Sequence, residues 1–292
     1  MILPISVNKI TLFLLILSVF PGLACSPSRN DVNQMPEKQT ENPPENPAQK
    51  SSGEAMENCL VRAYPEFLQS ADNNLIVWKD STVMNFDDRI EQTDFETMLN
   101  NADLKDQLAQ CYPKTDDYLQ KLVVNYDPGR ARNESFFFKM YGNSATEVEQ
   151  KLVSMVWMPK NINKSIRVTS VNGIDKKFQA VSAELDNLAP EFMQYLQNPA
   201  GTFNWRVIAG TSRQSTHSFG TTIDINVALS DYWRNNSPDA NGVYQYKNRI
   251  PLEIVRIFEK HGFIWGGKWY HYDTMHFEYR PELLDADCIC KN

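Results

Sequence analysis

The stretch "TTIDINVAL", residues 221–229, sets one acid inside an otherwise apolar run. Side chains alternate along a strand, so Thr222, Asp224 and Asn226 share one face while Ile223, Ile225 and Val227 share the other. A carboxylate flanked by isoleucines is costly to bury unless it is paired or holds a metal. The strand therefore calls for an apolar layer on one side and a polar site on the other.

The chain has four histidines, and their placement bears on that site. His217 lies in "STHSFG", ahead of Gly220, which permits a sharp turn before the strand. His261, His271 and His276 cluster near the C-terminus, where "YDTMHFEY" places Asp273 three residues before His276. In a turn the two side chains can converge, whereas in a strand they would diverge. Two imidazoles and one carboxylate, with a fourth position left open, form the donor set of catalytic zinc. A further carboxylate outside that set can take a proton from water. His217, Asp224 and His276 fit as ligands and Asp273 fits as the base. The competing reading makes the histidines core or cleft residues and the acids structural acceptors. A serine triad of Ser215, His217 and Asp224 is disfavoured, because Ser215 and His217 are too close in sequence and no nucleophile-elbow pattern surrounds them.

A net charge of -7 and the lack of any Lys/Arg run argue against nucleic-acid binding. The N-terminus reads as an export signal over residues 1–24, since Ile10–Phe20 reaches only ~17 Å as a helix against a ~30 Å hydrocarbon core. Cleavage before Cys25 would resemble bacterial lipoprotein processing and anchor the protein to a membrane through lipid. Gly22 departs from the leucine usual in such signals, and ordinary cleavage near Ala24 is the alternative. Residues 25–58 hold five prolines between Ser26 and Asn58 and no aromatic, Ile or Leu residue there, which describes a disordered tether. The expected location is the periplasm or cell envelope. Five cysteines leave four once Cys25 is lipidated. Cys59 and Cys111 are expected to pair with Cys288 and Cys290, the alternative being a Cys59–Cys111 bridge.

The fold class read from the pattern is α+β: a small, mainly antiparallel sheet flanked by helices, with an N-terminal α/β elaboration over 59–160 and the site-bearing domain over 161–292. A hairpin is expected around Lys79, Asp80 and Ser81. Ser144 and Glu147 form a capping-box pattern ahead of a helix with Val148, Leu152, Met155 and Val156 on one face. A second helix shows Phe178, Val181, Leu185 and Leu188, and a third starts at Pro251 and stops at Gly262. "NWRVIAGTS" and "TTIDINVAL" read as strands. "YDPGRARNESFFFKMYG", with Arg130 and Arg132, reads as a loop entering a core strand, the alternative being a cleft wall or a segment that binds carboxylates.

"STHSFGTTID" resembles the Ser-x-His-x-x-Gly-x-Ala-x-Asp motif, and "DTMHFE" the Asp-x-x-His-Phe-Glu motif, of the zinc D-alanyl-D-alanine carboxypeptidase and L-alanyl-D-glutamate peptidase family, VanY-like enzymes among them. "GFIWGGKW" is similar to the endolysin-like branch, and Thr222 stands where the family usually has alanine. The likeness spans about residues 204–284. It implies Zn2+ held by His217, Asp224 and His276, Asp273 as general base, and a peptidoglycan peptide as substrate. Arg213 resembles the family arginine that polarises the scissile carbonyl, although its spacing to the motif is shorter than in many relatives. Ser215, Trp269 and His271 are candidates for the substrate cleft, and Glu278 for orienting a ligand or pairing with Arg280. The implied activity is hydrolysis of an amide bond in the stem peptide, of carboxypeptidase or endopeptidase type. The alternative is a non-catalytic wall-binding lipoprotein that keeps the fold.

Overall fold

A computed structural model describes residues 56–285. The fold is α+β, with three small antiparallel sheets among the described residues. The expected export signal, residues 25–55 of the expected tether with Cys25, and Cys288 and Cys290 lie outside them, while residues 56–58, the expected tether's end, are helical with Glu57 buried.

The first sheet is a meander of β1 (Leu68–Asp72), β2 (Leu75–Trp78) and β3 (Val83–Asn85), and its second turn runs through Lys79, Asp80 and Ser81 as the sequence suggests. Two short helices follow, α1 (Phe95–Asn101) and α2 (Leu104–Leu108). Asp103 caps α2 by accepting from the Asp106 amide, and the Asp106 side chain accepts in return from the Asp103 amide. "YDPGRARN" then leads not into a strand but into α3 (Glu134–Tyr141), capped by Asn133. Phe136, Phe137, Met140 and Tyr141 point inward from α3, a helical spacing that the run of three phenylalanines obscures.

The helix expected after Ser144 is cut short. Ser144 does cap α4 (Ala145–Glu149), but Leu152–Trp157 is β4, hydrogen-bonded to β5 (Lys164–Thr169). Met155 and Trp157 face inward while Val156 stays 47% exposed, so a period of two won over one of 3.6. Helix α5 (Ile174–Leu185) buries Phe178, Val181 and Leu185 and packs on this hairpin. After α6 (Met193–Leu196), "NWRVIAGTS" forms a loop closed by an isolated bridge between Val207 and Gln214. It is no sheet strand, since among its amides Ile208 donates to the Arg213 carbonyl across a turn at Gly210, where φ is +79°.

The third sheet carries the site. β6 (Thr222–Asp224) and β7 (Phe263–Trp265) flank a central β8 (His276–Tyr279). β6 stops at Asp224 because Asn226 turns the chain, its side chain accepting from the Ala228 amide at 3.2 Å. Register places Asp224 opposite His276, Ile223 opposite Phe277 and Thr222 opposite Glu278. Strand alternation thus gathers the polar residues on one face. The other face meets α7 (Leu252–Lys260), where Phe258 stacks on Phe277 with ring centroids 3.8 Å apart. Pro251 precedes α7, and Gly262, at φ +93°, follows it. A short α8 (Pro281–Leu284) closes the described chain.

One hydrophobic cluster runs from Cys59 to Leu283. Polar contacts join its early and late parts: Tyr64 Oη donates to Glu282 Oε2 at 2.7 Å, and Lys268 Nζ donates to the Pro113 carbonyl at 2.7 Å.

Gly220, which ends the turn bearing His217, sits at φ +66°, and an added Cβ would lie 2.6 Å from Leu152 Cδ2 and 3.2 Å from the Thr169 amide. The left-handed backbone alone costs a non-glycine residue about 1–2 kcal/mol. Gly220→Ala is therefore expected to lower the urea midpoint, with the clash adding to the backbone term.

Candidate metal centre and active site

Three local structures deliver the triad. His217 sits on a 3-10 turn over Thr216–Phe219, Asp224 ends β6, and His276 begins β8. Asp224 Oδ1 lies 3.2 Å from His217 Nε2 and 3.1 Å from His276 Nδ1. One ligand atom from each residue lies within 4.8 Å of the others, and both histidines are buried. Burial works to raise the Asp224 carboxyl, but the two histidines, His217 foremost, hold it well below the usual carboxylate range. Burial likewise opposes a charged His276, yet its bonds to Asp224 and Glu278 push it up to about 10. Two imidazole nitrogens crowded on one carboxylate oxygen are a donor set that a divalent cation satisfies better than a proton does.

His276 has its second nitrogen occupied. Nε2 lies 3.2 Å from Glu278 Oε2, two residues along the same strand face. Glu278 is fully buried and accepts from Arg132 Nη1 and Arg280 Nη1, each at 3.1 Å, and from Thr216 Oγ1 at 3.3 Å. Burial would raise this carboxyl, but Arg132, His276 and Arg280 hold it well below its ordinary range. A carboxylate fixing the far nitrogen of an imidazole sets which nitrogen is free to bind a cation. The sequence reading of Glu278 offered ligand orientation or an Arg280 pair, and the structure shows contacts to both His276 and Arg280.

Asp273 stands on the turn before β8, where the His276 amide donates to its carbonyl at 3.2 Å. That turn meets the geometric condition for Asp273 and His276 to share a site. Its Oδ1 is buried with no hydrogen-bond partner among the described residues. Burial and then the charge of Asp224 push the Asp273 carboxyl up to about 6, against the pull of His276 and Arg130. A buried carboxylate oxygen without a partner, beside a candidate cation site, is chemically able to accept a proton from a donor that reaches it.

A cavity of about 570 Å3 opens over these groups and is lined by His217, Asp224, Asp273 and His276 together with Ser215 and Trp269. Trp269 is held by donating Nε1 to the Pro128 carbonyl at 2.7 Å, and its ring centroid lies 5.7 Å from that of His276. Ser215 precedes the His217 turn without a side-chain capping bond, and it is its carbonyl that accepts from the Ser218 amide at 2.9 Å. His271 does not line the cavity. Its ring is bonded to Asp127 and packed by Phe95 and Trp233.

Arg213 is also elsewhere. Its Nη1 donates to Glu96 Oε2 at 3.2 Å and to Asn100 Oδ1 at 2.9 Å, so α1 holds it away from the triad's cavity. The arginines that do line the cavity are Arg130, Arg132, Arg206 and Arg234. Arg130 lies 4.6 Å over the Trp269 ring and donates to the His271 carbonyl at 2.5 Å. "GRARN" pointed to a cleft wall only weakly, because nothing local tells which distant segment the pair will meet.

With this geometry in place, comparison with known families is informative. Residues 209–279 match the family model described as D-alanyl-D-alanine carboxypeptidase. That segment is similar to this peptidase family. The matched segment contains all three triad residues and Asp273, so the likeness read from the two motifs holds where the chemistry is. Arg130 and Arg132, which also line the cavity, come from outside it. No curated protein and no solved structure matches the chain.

Proposed function

We propose that the protein is a zinc-dependent peptidase that hydrolyses an amide bond in the peptide stems of bacterial peptidoglycan. The observation that carries this reading is the convergence of His217, Asp224 and His276 beside Asp273, whose Oδ1 has no partner among the described residues, over one cavity. His217, Asp224 and His276 would hold the metal, and Glu278 would keep His276 in its binding orientation. When bound, zinc supplies a Lewis acid that polarises a carbonyl and makes water easier to deprotonate. Asp273 Oδ1 accepts a proton from the attacking water and returns it to the departing amine. Trp269 and Ser215 shape the cavity wall. The cavity arginines, Arg130 nearest in character to the role first given to Arg213, supply positive charge where a carbonyl oxygen becomes negative.

The working place that fits this activity is the cell envelope. Export through residues 1–24 and a lipid at Cys25 are part of the proposal, and the disulfide-bonded state of Cys59 and Cys111 supports an oxidising compartment.

The test is metal content followed by digestion of purified peptidoglycan, with mass analysis of the released stems. One zinc per chain and stem-derived fragments are the expected result, and fragment masses distinguish D-Ala-D-Ala from L-Ala-D-Glu cleavage. Zinc-loaded protein that releases nothing from any stem type, while still sedimenting with the wall, would instead favour a binding lipoprotein.

A further inference from the structure

Nothing in the proposed chemistry requires an acid at Asp127, yet its side chain is wholly enclosed. Burying a carboxylate is costly unless its oxygens are bonded. Both oxygens of Asp127 go to one residue. Oδ1 accepts from the His271 amide at 2.8 Å, and Oδ2 is hydrogen-bonded to Nδ1 of the same histidine's ring. Arg130 Nη2 donates to the His271 carbonyl at 2.5 Å, so residues 127 and 130 hold His271 by its amide, its ring and its carbonyl.

The hold extends along the neighbouring segment. The Tyr270 amide donates to the Tyr126 carbonyl at 2.9 Å, and Trp269 Nε1 donates to the Pro128 carbonyl at 2.7 Å. The gripping loop is itself fixed from behind. The Asp127 amide donates to Gln110 Oε1 at 2.6 Å, and Arg280 Nη1 donates to the Gly129 carbonyl at 2.7 Å. Loop 126–130 is thus a braced support for residues 269–271.

His271 stands two residues before Asp273. Asp273 Oδ1 has no hydrogen-bond partner among the described residues, so the place of that oxygen is inherited from the backbone that carries it. On one side this backbone is tied to residues 231–233: the Trp233 amide donates to the Tyr272 carbonyl and the Thr274 amide to the Asp231 carbonyl, each at 3.0 Å. On the other side the tie runs through His271 to Asp127. Neither Asp127 nor His271 lines the cavity, so any effect of theirs on a substrate there is exerted through other residues.

We propose that Asp127 is a positioning residue for the proton acceptor: its two bonds to His271 fix the backbone that sets Asp273 Oδ1 beside His217, Asp224 and His276. The inference rests on the peptidase reading for the proton transfer and on geometry alone for the placement. A group displaced by about 1 Å can lower a rate by about 10²-fold, and supporting bonds outside the cavity are what prevent such displacement.

The test measures kcat and KM on stem peptides with zinc-loaded protein. Asp127→Ala removes both bonds and is expected to lower kcat by about 10²-fold at nearly constant KM. Asp127→Asn keeps an acceptor for the His271 amide and gives an intermediate loss, and it carries the test alone if the alanine variant does not fold. The deciding step places each substitution in an Asp273→Ala background. A residue that acts through the base has nothing left to position there, so the residual rate should stay within about twofold of Asp273→Ala alone. An equal fractional loss in both backgrounds marks a merely structural role and overturns the proposal, as does a wild-type kcat in the single variants. Crystal structures of the wild type and Asp127→Asn give a reading that needs no turnover. Displacement of Asp273 Oδ1, with His217, Asp224 and His276 in place, supports the placement even if the wild type cleaves no peptide, which would count against the peptidase reading alone. An unmoved Oδ1 overturns the proposal.

Discussion

Asp273→Ala is expected to lower kcat/KM on peptidoglycan stems by about 10²–10⁴, the usual worth of a positioned proton-transfer group. Zinc stoichiometry should be unchanged, since Asp273 is outside the triad. The structure adds a second expectation. Asp273 Oδ1 is buried without a partner, an arrangement that costs stability, so removing the carboxylate should hold or raise the melting temperature while activity falls. A structural acceptor would behave in the opposite way, losing stability with the side chain. The pH dependence has a definite sign. The base works when ionised, so kcat/KM rises with pH through its pKa. In the metal-free protein, burial and the charge of Asp224 place that value at about 6. A cation in the triad neutralises Asp224 and relaxes its upward push, so the acidic limb of the loaded enzyme should lie below about 6. A profile whose acidic limb persists unchanged in the alanine variant, or undiminished hydrolysis by it, would remove Asp273 from the proposed chemistry.

Glu278→Gln is expected to weaken zinc binding by about 10–100-fold, the usual effect of losing the partner that orients a ligating imidazole. It should also destabilise the fold, because the Arg132 and Arg280 guanidiniums at 3.1 Å would lose their shared counter-charge inside the protein. Breaking a buried pair from one side costs about 3–5 kcal/mol. The sign with pH follows from a folded-state pKa held below the ordinary value. The contribution is fully present above the unfolded pKa of about 4.3 and is lost as pH falls toward the depressed folded value. Wild-type stability should therefore drop on acidification below about pH 4, and the glutamine variant should show a shallower drop. Competition with a chromophoric chelator reads the affinity, and denaturant melts across pH read the rest. Unaltered zinc affinity would mean that His276 is oriented by something other than Glu278.

Much of the centre could be read from residues that are near one another in the chain. His217 and Asp224 flank a glycine turn and a short strand, and Asp273 and His276 share a turn, so local geometry nearly determines each pair. What brings the pairs together is the antiparallel pairing of β6 with β8, which residue types at matching spacing can suggest but not measure. Arg213 misled for the same reason: its neighbours in sequence are the motif, whereas its neighbours in space are Glu96 and Asn100. Arg132 is the converse case, 146 residues from the Glu278 it contacts. In the fold, periodicity served best where one period was unambiguous, as in α5 and α7. It failed at Leu152–Trp157, where Leu152, Met155 and Val156 satisfy a helical spacing while Met155 and Trp157 satisfy a strand, and pairing with β5 decides.

The alignment of Asp224 with His276 across β6 and β8 also makes the candidate site depend on sheet register. Side chains alternate between sheet faces, so a slip of one residue in that pairing would turn His276 and Glu278 into the apolar layer and Phe277 toward solvent. Misregistered chains would thus lack two of the groups that gather a cation, and would bury charge as well. If the triad holds a metal as proposed, binding it would favour the correctly paired form.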